Sequence, residues 1–304
     1  MTQPQKPTSR SSIVESYLTQ TPLLSSSQLT GDDGFDHGRE RDVVAPAAWL
    51  LGTGTPKVLP HRSGPANYLQ LGAQRVLVDC GVGTTQRLVS LGAEPADITH
   101  IFITHHHLDH NAELASLLLS PWVDRLRDTC PVVVGPPGTA AFVDRLLGAF
   151  DYDVRTRQSL GYDLSLVRPR VVEVHDGLHV AVDTWSFTAF RVDHEPVDEA
   201  FGYRFDWQGG SVAFSGDTAP CDNLVEYCRG VDVLVHEALF PGYGIPRYHT
   251  TVDQVGAVAT ASGARHLVLT HLLPGHLPDE VWRHRIATAF DGPITVGSDL
   301  LRVW

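Results

Sequence analysis

Thr104-His105-His106-His107-Leu108-Asp109-His110 is the stretch on which the reading of this chain turns. It follows the apolar run Ile101-Phe102-Ile103, which predicts a short buried strand, and it has the form HxHxDH. A tight loop after a strand end lets His105 and His107 point the same way. Asp109 and His110 then turn toward a second ion close by. Imidazole and carboxylate suit zinc, and also iron or manganese. A solvated histidine-rich surface loop would not need Asp and His at fixed offsets behind an apolar run. His106 falls out of phase with its neighbours and is expected to face away and serve structure.

Four residues do not complete two coordination shells, because a catalytic zinc takes about three protein ligands and a water. Other apolar runs end in residues able to bind metal or act in catalysis. RVLVD ends at Asp79, TAFRVDH at His194, SVAFSGD at Asp217, DVLVHE at His236-Glu237 and RHLVLTH at His271. Strand ends are rigid platforms, and residues on them converge at one sheet edge. A hydrophobic core does not require that pattern. His194, Asp217 and His271 are therefore expected to supply the remaining ligands, with the Asp217 carboxylate able to bridge both ions.

Around these residues the 304-residue chain reads as a mobile tail or arm over 1–45, rich in Ser, Thr, Gln, Pro and charge, and a catalytic domain over 46–304. A short helix is expected at Ser12–Leu18. Hairpins are expected for Asn67–Leu71 with Arg75–Asp79, for His179–Asp183 with Ser186–Val192, and for Gly202–Trp207 with Ser211–Ser215. Helical periodicity falls at Thr84–Leu91, Asn111–Leu119, Thr139–Ala149, Val252–Ser262 and Pro278–Phe290. Hairpins mixed with helices argue for stacked layers of sheet and helix.

The chain is 42% hydrophobic with a net charge of −12, so general electrostatics give no help with nucleic acid. Sixteen histidines are a high count and invite a search for metal ligands. The four cysteines match neither a CxxC zinc motif nor a dense disulfide framework. Without an apolar leader or a long apolar run, a cytoplasmic protein with no membrane partner is the expectation.

Leu51-Gly52-Thr53-Gly54-Thr55-Pro56, Asp79-Cys80-Gly81, HxHxDH, His194, Ser215-Gly216-Asp217-Thr218 and Leu269-Thr270-His271 stand in the order of the metallo-β-lactamase superfamily, which the chain resembles over about residues 49–304. The resemblance implies an α/β fold, a four-layer αββα sandwich, and a dinuclear site for two divalent ions. These would be Zn2+, with Mn2+ or Fe as alternatives. By that resemblance His105, His107 and His194 hold one metal, Asp109, His110 and His271 hold the other, Asp217 bridges, and Asp79 supports from behind.

Val235-His236-Glu237-Ala238 and Tyr248-His249-Thr250-Thr251 resemble elements of the ribonuclease Z and arylsulfatase-like relatives. In that branch His249, oriented by Glu237, assists the leaving group while a metal-bound hydroxide attacks and Asp109 orients or deprotonates the water. Departures from the RNA-processing members are also visible. Asn111-Ala112-Glu113-Leu114-Ala115 replaces a Gly-Leu-Pro-Gly-Leu-like stretch, and no basic arm stands out in a chain whose lysines are Lys6 and Lys57.

Hydrolysis of a small-molecule phosphodiester or sulfate ester is accordingly the first expectation. A ribonuclease Z-like RNA 3′-end endonuclease is the alternative, followed by a lactonase or β-lactamase, for which His249 and Glu237 have no obvious use. A non-enzymatic scaffold fits poorly with a complete set of seven ligands. A homodimer is compatible with the resemblance. Leu59–Pro65, Trp122–Arg127, Phe150–Tyr162 and Phe240–Tyr248 are candidates for the walls of the site.

Overall fold

A computed structural model describes residues 44–243 and 247–304. Of the expected tail, Val44 and Ala45 open the first strand; the rest, including Ser12–Leu18, lies outside the described residues. Fourteen strands form two seven-stranded sheets among the described residues. The first is built from β1 (Val44–Gly52), β2 (Ala66–Gly72), β3 (Gln74–Val78), β4 (His100–Phe102), β5 (Val132–Gly135), β6 (Val171–Glu173) and β14 (Leu301–Arg302), in the order β14-β1-β2-β3-β4-β5-β6. The second holds β7 (Leu178–Val182), β8 (Trp185–Arg191), β9 (Phe201–Trp207), β10 (Gly210–Phe214), β11 (Val233–Leu239), β12 (Leu267–Leu273) and β13 (Ile294–Val296), in the order β13-β12-β11-β10-β9-β8-β7.

Eight α-helices lie among the described residues: α1 (Thr84–Leu91), α2 (Leu108–Asn111), α3 (Leu114–Val123), α4 (Thr139–Ala149), α5 (Asp151–Ser159), α6 (Asp222–Tyr227), α7 (Val252–Ser262) and α8 (Asp279–Ile286). Three apolar clusters order the layers. Leu69, Val78, Phe102, Phe187, Phe205, Val235 and Val268 fill the space between the sheets. Leu88, Leu117, Trp122 and Val143 hold α1, α3 and α4 on the outer face of the first sheet. Val255, Val258, Trp282 and Ile286 hold α7 and α8 on the outer face of the second. The expected four-layer αββα sandwich is the architecture observed.

Local sequence explains much of this. β7 alternates buried and exposed residues along Leu-His-Val-Ala-Val, the period of a half-covered strand. Thr251 and Gln254 form a capping box that starts α7, and Gly263 in the left-handed conformation ends it. Phe102 meets Phe187, Tyr203 and Phe205 edge-on at 4.8–5.1 Å between ring centroids, tying the sheets together at their centre. Each such ring contributes about 1.5–3 kcal/mol by leaving water.

The three hairpins and the helices 84–91, 139–149 and 252–262 lie where the patterns place them. The expected helix at 111–119 is instead split into α2 and α3, and α8 is shorter than its periodic stretch. α5 and α6 are additional. No helix among the described residues is long and apolar enough to cross a membrane.

Candidate metal centre

The seven residues expected to bind metal meet at one end of the sandwich. They reach it by different routes. His105 lies three residues beyond β4, Asp217 three beyond β10 and His194 three beyond β8, all on connecting loops. Asp109 and His110 sit in α2, the single turn that the HxHxDH loop forms.

His271 and His236-Glu237 correct the strand-end reading, because β11 and β12 run past them. Glu237 pairs with Thr270 and Ala238 with Leu272, so His271 is the extra residue of a bulge, with φ at 47°. Asp79, with φ at 62°, is likewise held in the left-handed region, and both residues aim their side chains at the site. Such backbone costs of order 1–3 kcal/mol each and persists because the surrounding structure dictates it.

Three overlapping groups of donors form among the described residues, one of them Asp217 with Glu237, His249 and His271. His105, His107, His194 and Asp217 bring their donor atoms together on one side, and Asp109, His110 and His271 do so on the other. His105 Nε2 stands 2.9 Å from His107 Nδ1, which is 3.3 Å from His194 Nε2. Asp217 Oδ2 lies 3.4 Å from His110 Nε2 and 3.5 Å from His271 Nε2, and Asp109 Oδ2 lies 3.3 Å from His271 Nε2.

Hydrogen bonds at the back of the rings decide which nitrogens face inward. His110 Nδ1 donates to Asp79 Oδ2 at 2.8 Å, and His194 Nδ1 donates to the Tyr248 carbonyl at 2.8 Å. Thr104 Oγ1 donates to Asp79, so at 3.0 Å it accepts from His105 Nδ1. All three imidazoles therefore turn an Nε2 lone pair into the site when neutral. One N–H on His107 cannot serve both His105 and His194. His110 Nε2 is buried with no hydrogen-bond partner. Converging nitrogen lone pairs and two carboxylates around an orphaned buried atom are the donor set a divalent cation satisfies, so the residues fit the implied metals.

Electrostatics agree. Burial lowers His105 well below the ordinary imidazole value, with His110 adding to the effect, and burial also lowers His107 and His194. These three are neutral donors. Burial works against charge at His110 too, but Asp217 and Asp79 outweigh it and raise the group well above its usual value. Asp217 is held well below the carboxylate range although burial opposes this, because His271 and His110 outweigh it. A field able to retain protons on buried imidazoles is also one that attracts a metal ion.

Glu237 and His249 stand beside this set. His249 Nδ1 is 2.8 and 3.0 Å from the two Glu237 oxygens and 3.9 Å from Asp217 Oδ2. Burial, with Asp217 adding to it, pushes the Glu237 carboxyl well up; burial brings His249 down. The Glu237 carboxyl thus engages Nδ1 of the ring, and Nε2 is the nitrogen left for a substrate.

His106 faces away from the centre, as expected. Its Nε2 donates to Thr139 Oγ1 at 3.1 Å and its ring packs at a tilt against Phe142, 5.0 Å between centroids, pinning α4 to the ligand loop. Of the candidate walls, Leu59–Pro65 is tied down by Asp299, whose carboxylate accepts from Ser63 N, Thr53 N and Thr53 Oγ1 and pairs with Arg87. Sequence reasoning missed Asp299. It follows β13 as Gly297-Ser298-Asp299, the same polar strand-end signal used for the other site residues. Trp122 and Tyr162 belong to the other proposed walls but pack on each other instead, 5.4 Å between centroids.

Comparison with known proteins adds to this geometry. Residues 74–272 match the model of the beta-lactamase superfamily domain. The chain is 38% identical over 273 residues to a ribonuclease Z of Mycobacterium bovis, covering 84% of this chain and 96% of that protein. The metallo-beta-lactamase fold protein YhfI from Bacillus subtilis superposes with a TM-score of 0.68 at 18% identity, covering 86% of this chain and all of the other. Human tRNase Z, short form, superposes with a TM-score of 0.63 at 23% identity over 85% and 98% of the two chains.

Proposed function

We propose, for a chain that belongs to the metallo-β-lactamase superfamily of metal-dependent hydrolases, that the bond it cleaves is a phosphodiester of RNA near a 3′ end. Sequence analysis places a small phosphodiester or sulfate ester first and RNA second; the likeness to ribonuclease Z reverses that order. The observation that carries this reading is the 38% identity to a ribonuclease Z across 84% of the chain.

His105, His107 and His194 would hold one divalent ion and Asp109, His110 and His271 another, with Asp217 serving both. The nitrogen-rich donors suit zinc, and iron or manganese are also compatible with them. Such ions supply Lewis-acid polarisation of the phosphoryl oxygens and acidify the attacking water. Asp79 fixes the tautomer of His110 and so keeps its lone pair on the site. Asp109 orients the water and accepts its proton. As the water oxygen bonds to phosphorus, the bond from phosphorus to the leaving oxygen breaks, and His249 Nε2 gives that oxygen its proton. Glu237 holds the opposite ring nitrogen and restores the charge balance of the imidazole.

A small phosphodiester or sulfate ester stays as the second reading because of charge. The chain carries −12, and on α5 Arg155 and Arg157 are paired with Asp151 and Asp153 rather than left to meet phosphate.

The test compares a 3′-extended structured RNA with bis(p-nitrophenyl) phosphate and p-nitrophenyl sulfate, using zinc-loaded protein. RNA cleavage slowed about 10²–10⁴-fold in His249→Ala is expected. The nitrophenyl diester should be less sensitive, because its leaving group departs without a proton. Turnover of either small ester with RNA untouched would return the small-ester reading.

A further inference from the structure

Directly beneath the ligand set, the space between the sheets changes character. Leu69 and Leu71 on β2, Val233 and Val235 on β11 and Val268 on β12 all face the inner core. One step nearer the site on the same faces come Asn67, Glu237 and Thr270. Together with Asp79, Ser215 and Asp217 they line a cavity of about 20 Å³. That is room for one water, which needs roughly 10–15 Å³ and two to four polar partners.

Asn67 is 6% exposed. Its Nδ2 donates to the Val78 carbonyl at 3.3 Å. A carbonyl only accepts, so the amide cannot be turned round, and Oδ1 is left on the other branch. That oxygen is buried and has no hydrogen-bond partner. Leaving it so costs about 1–3 kcal/mol, whereas a water in the cavity satisfies it. On the cavity wall Asp79, Asp217 and Glu237 present carboxylate oxygens, His110 brings its unpartnered Nε2, and two hydroxyls are already engaged. Ser215 Oγ donates to Gly216 O and accepts from Glu237 N; Thr104 Oγ1 donates to Asp79. A water can donate to two acceptors at once, and Asn67 Oδ1 and a carboxylate are two such acceptors.

We propose that this cavity is a binding site for one ordered water, and that through it Asn67 is a positioning residue for the carboxylate of Asp217 or Glu237. The water donates one hydrogen to Asn67 Oδ1 and the other to an Asp217 or Glu237 oxygen. It links β2 of the first sheet to a carboxylate that the second sheet brings to the site. Its effect on metal rests on the ligand role proposed above for Asp217; its presence does not.

The experiment is a high-resolution crystal structure of the full chain, with zinc affinity measured by competition against a chromogenic chelator. The expected map has a single water within hydrogen-bonding distance of Asn67 Oδ1 and an Asp217 or Glu237 oxygen. Asn67→Leu should lose that water and bind zinc roughly 10–100-fold more weakly. A map in which Oδ1 bonds a protein group, or a folded Asn67→Leu with unchanged zinc affinity, overturns the proposal. If Asn67→Leu does not fold, the wild-type map decides alone. Wild-type protein that holds the water but no zinc would sink the metal reading and leave the water site standing.

Discussion

The two sheets furnish the centre in unlike ways. The first gives His105, His107, Asp109 and His110 from one loop and one helical turn, within six residues of sequence. The second gives His194, Asp217, Glu237, His249 and His271 from separate strands and loops, aligned by parallel pairing of β10, β11 and β12 and by a bulge. One half is a local motif; the other is a product of strand register. A residue in the first half is held by its neighbours in sequence. A residue in the second is held only if the whole sheet is in place.

That contrast can be broken most severely at Asp217, where the halves meet. Asp217→Ala is expected to lower hydrolysis by on the order of 10³-fold or more, since several kcal/mol of charge stabilisation goes with it. Circular dichroism should be unchanged. Retained turnover would show that the two groups of ligands work independently.

Asp79→Ala probes the first half from behind. It frees His110 Nδ1 and Thr104, so zinc affinity should fall roughly 10–100-fold while secondary structure persists. An unchanged affinity would mean the ring needs no outside help to keep its tautomer. The smallest effect belongs to His106→Ala, which removes the bond to Thr139 and the contact with Phe142 but no ligand. Stability should drop by about 1–2 kcal/mol in urea, with zinc binding kept. Loss of zinc binding there would place His106 inside the centre.

The same contrast governs what could be read from residues alone. The HxHxDH loop is contiguous, so its chemistry is visible as a string. His194, Asp217 and His271 are legible through their apolar runs, although the run of His271, like that of His236-Glu237, does not end where the pattern suggests. β11 and β12 continue past Glu237 and His271 because a bulge turns His271 toward the site without ending the ladder. No local pattern announces a bulge at a non-glycine residue. α5 escaped because it is polar on most sides and is supported by Arg155–Asp151 and Arg157–Asp153 pairs one turn apart rather than by an apolar stripe. Asn67 was invisible as a site residue, since its role depends on what stands across the gap between sheets.

Asp299 and Thr53 are 246 residues apart, and β14 closes the outer edge of the first sheet beside β1. During synthesis, the loop 53–63 is therefore made long before the carboxylate that ties it down. Local helices and hairpins can form as they emerge, but this long-range closure waits for residues 299–302, because distant contacts must first overcome the entropy of the chain between them. The order of translation thus delays completion of one wall of the site until nearly all of the sandwich exists. A partly made chain therefore holds the HxHxDH loop before the loop 53–63 is fastened, so the two are completed at different times.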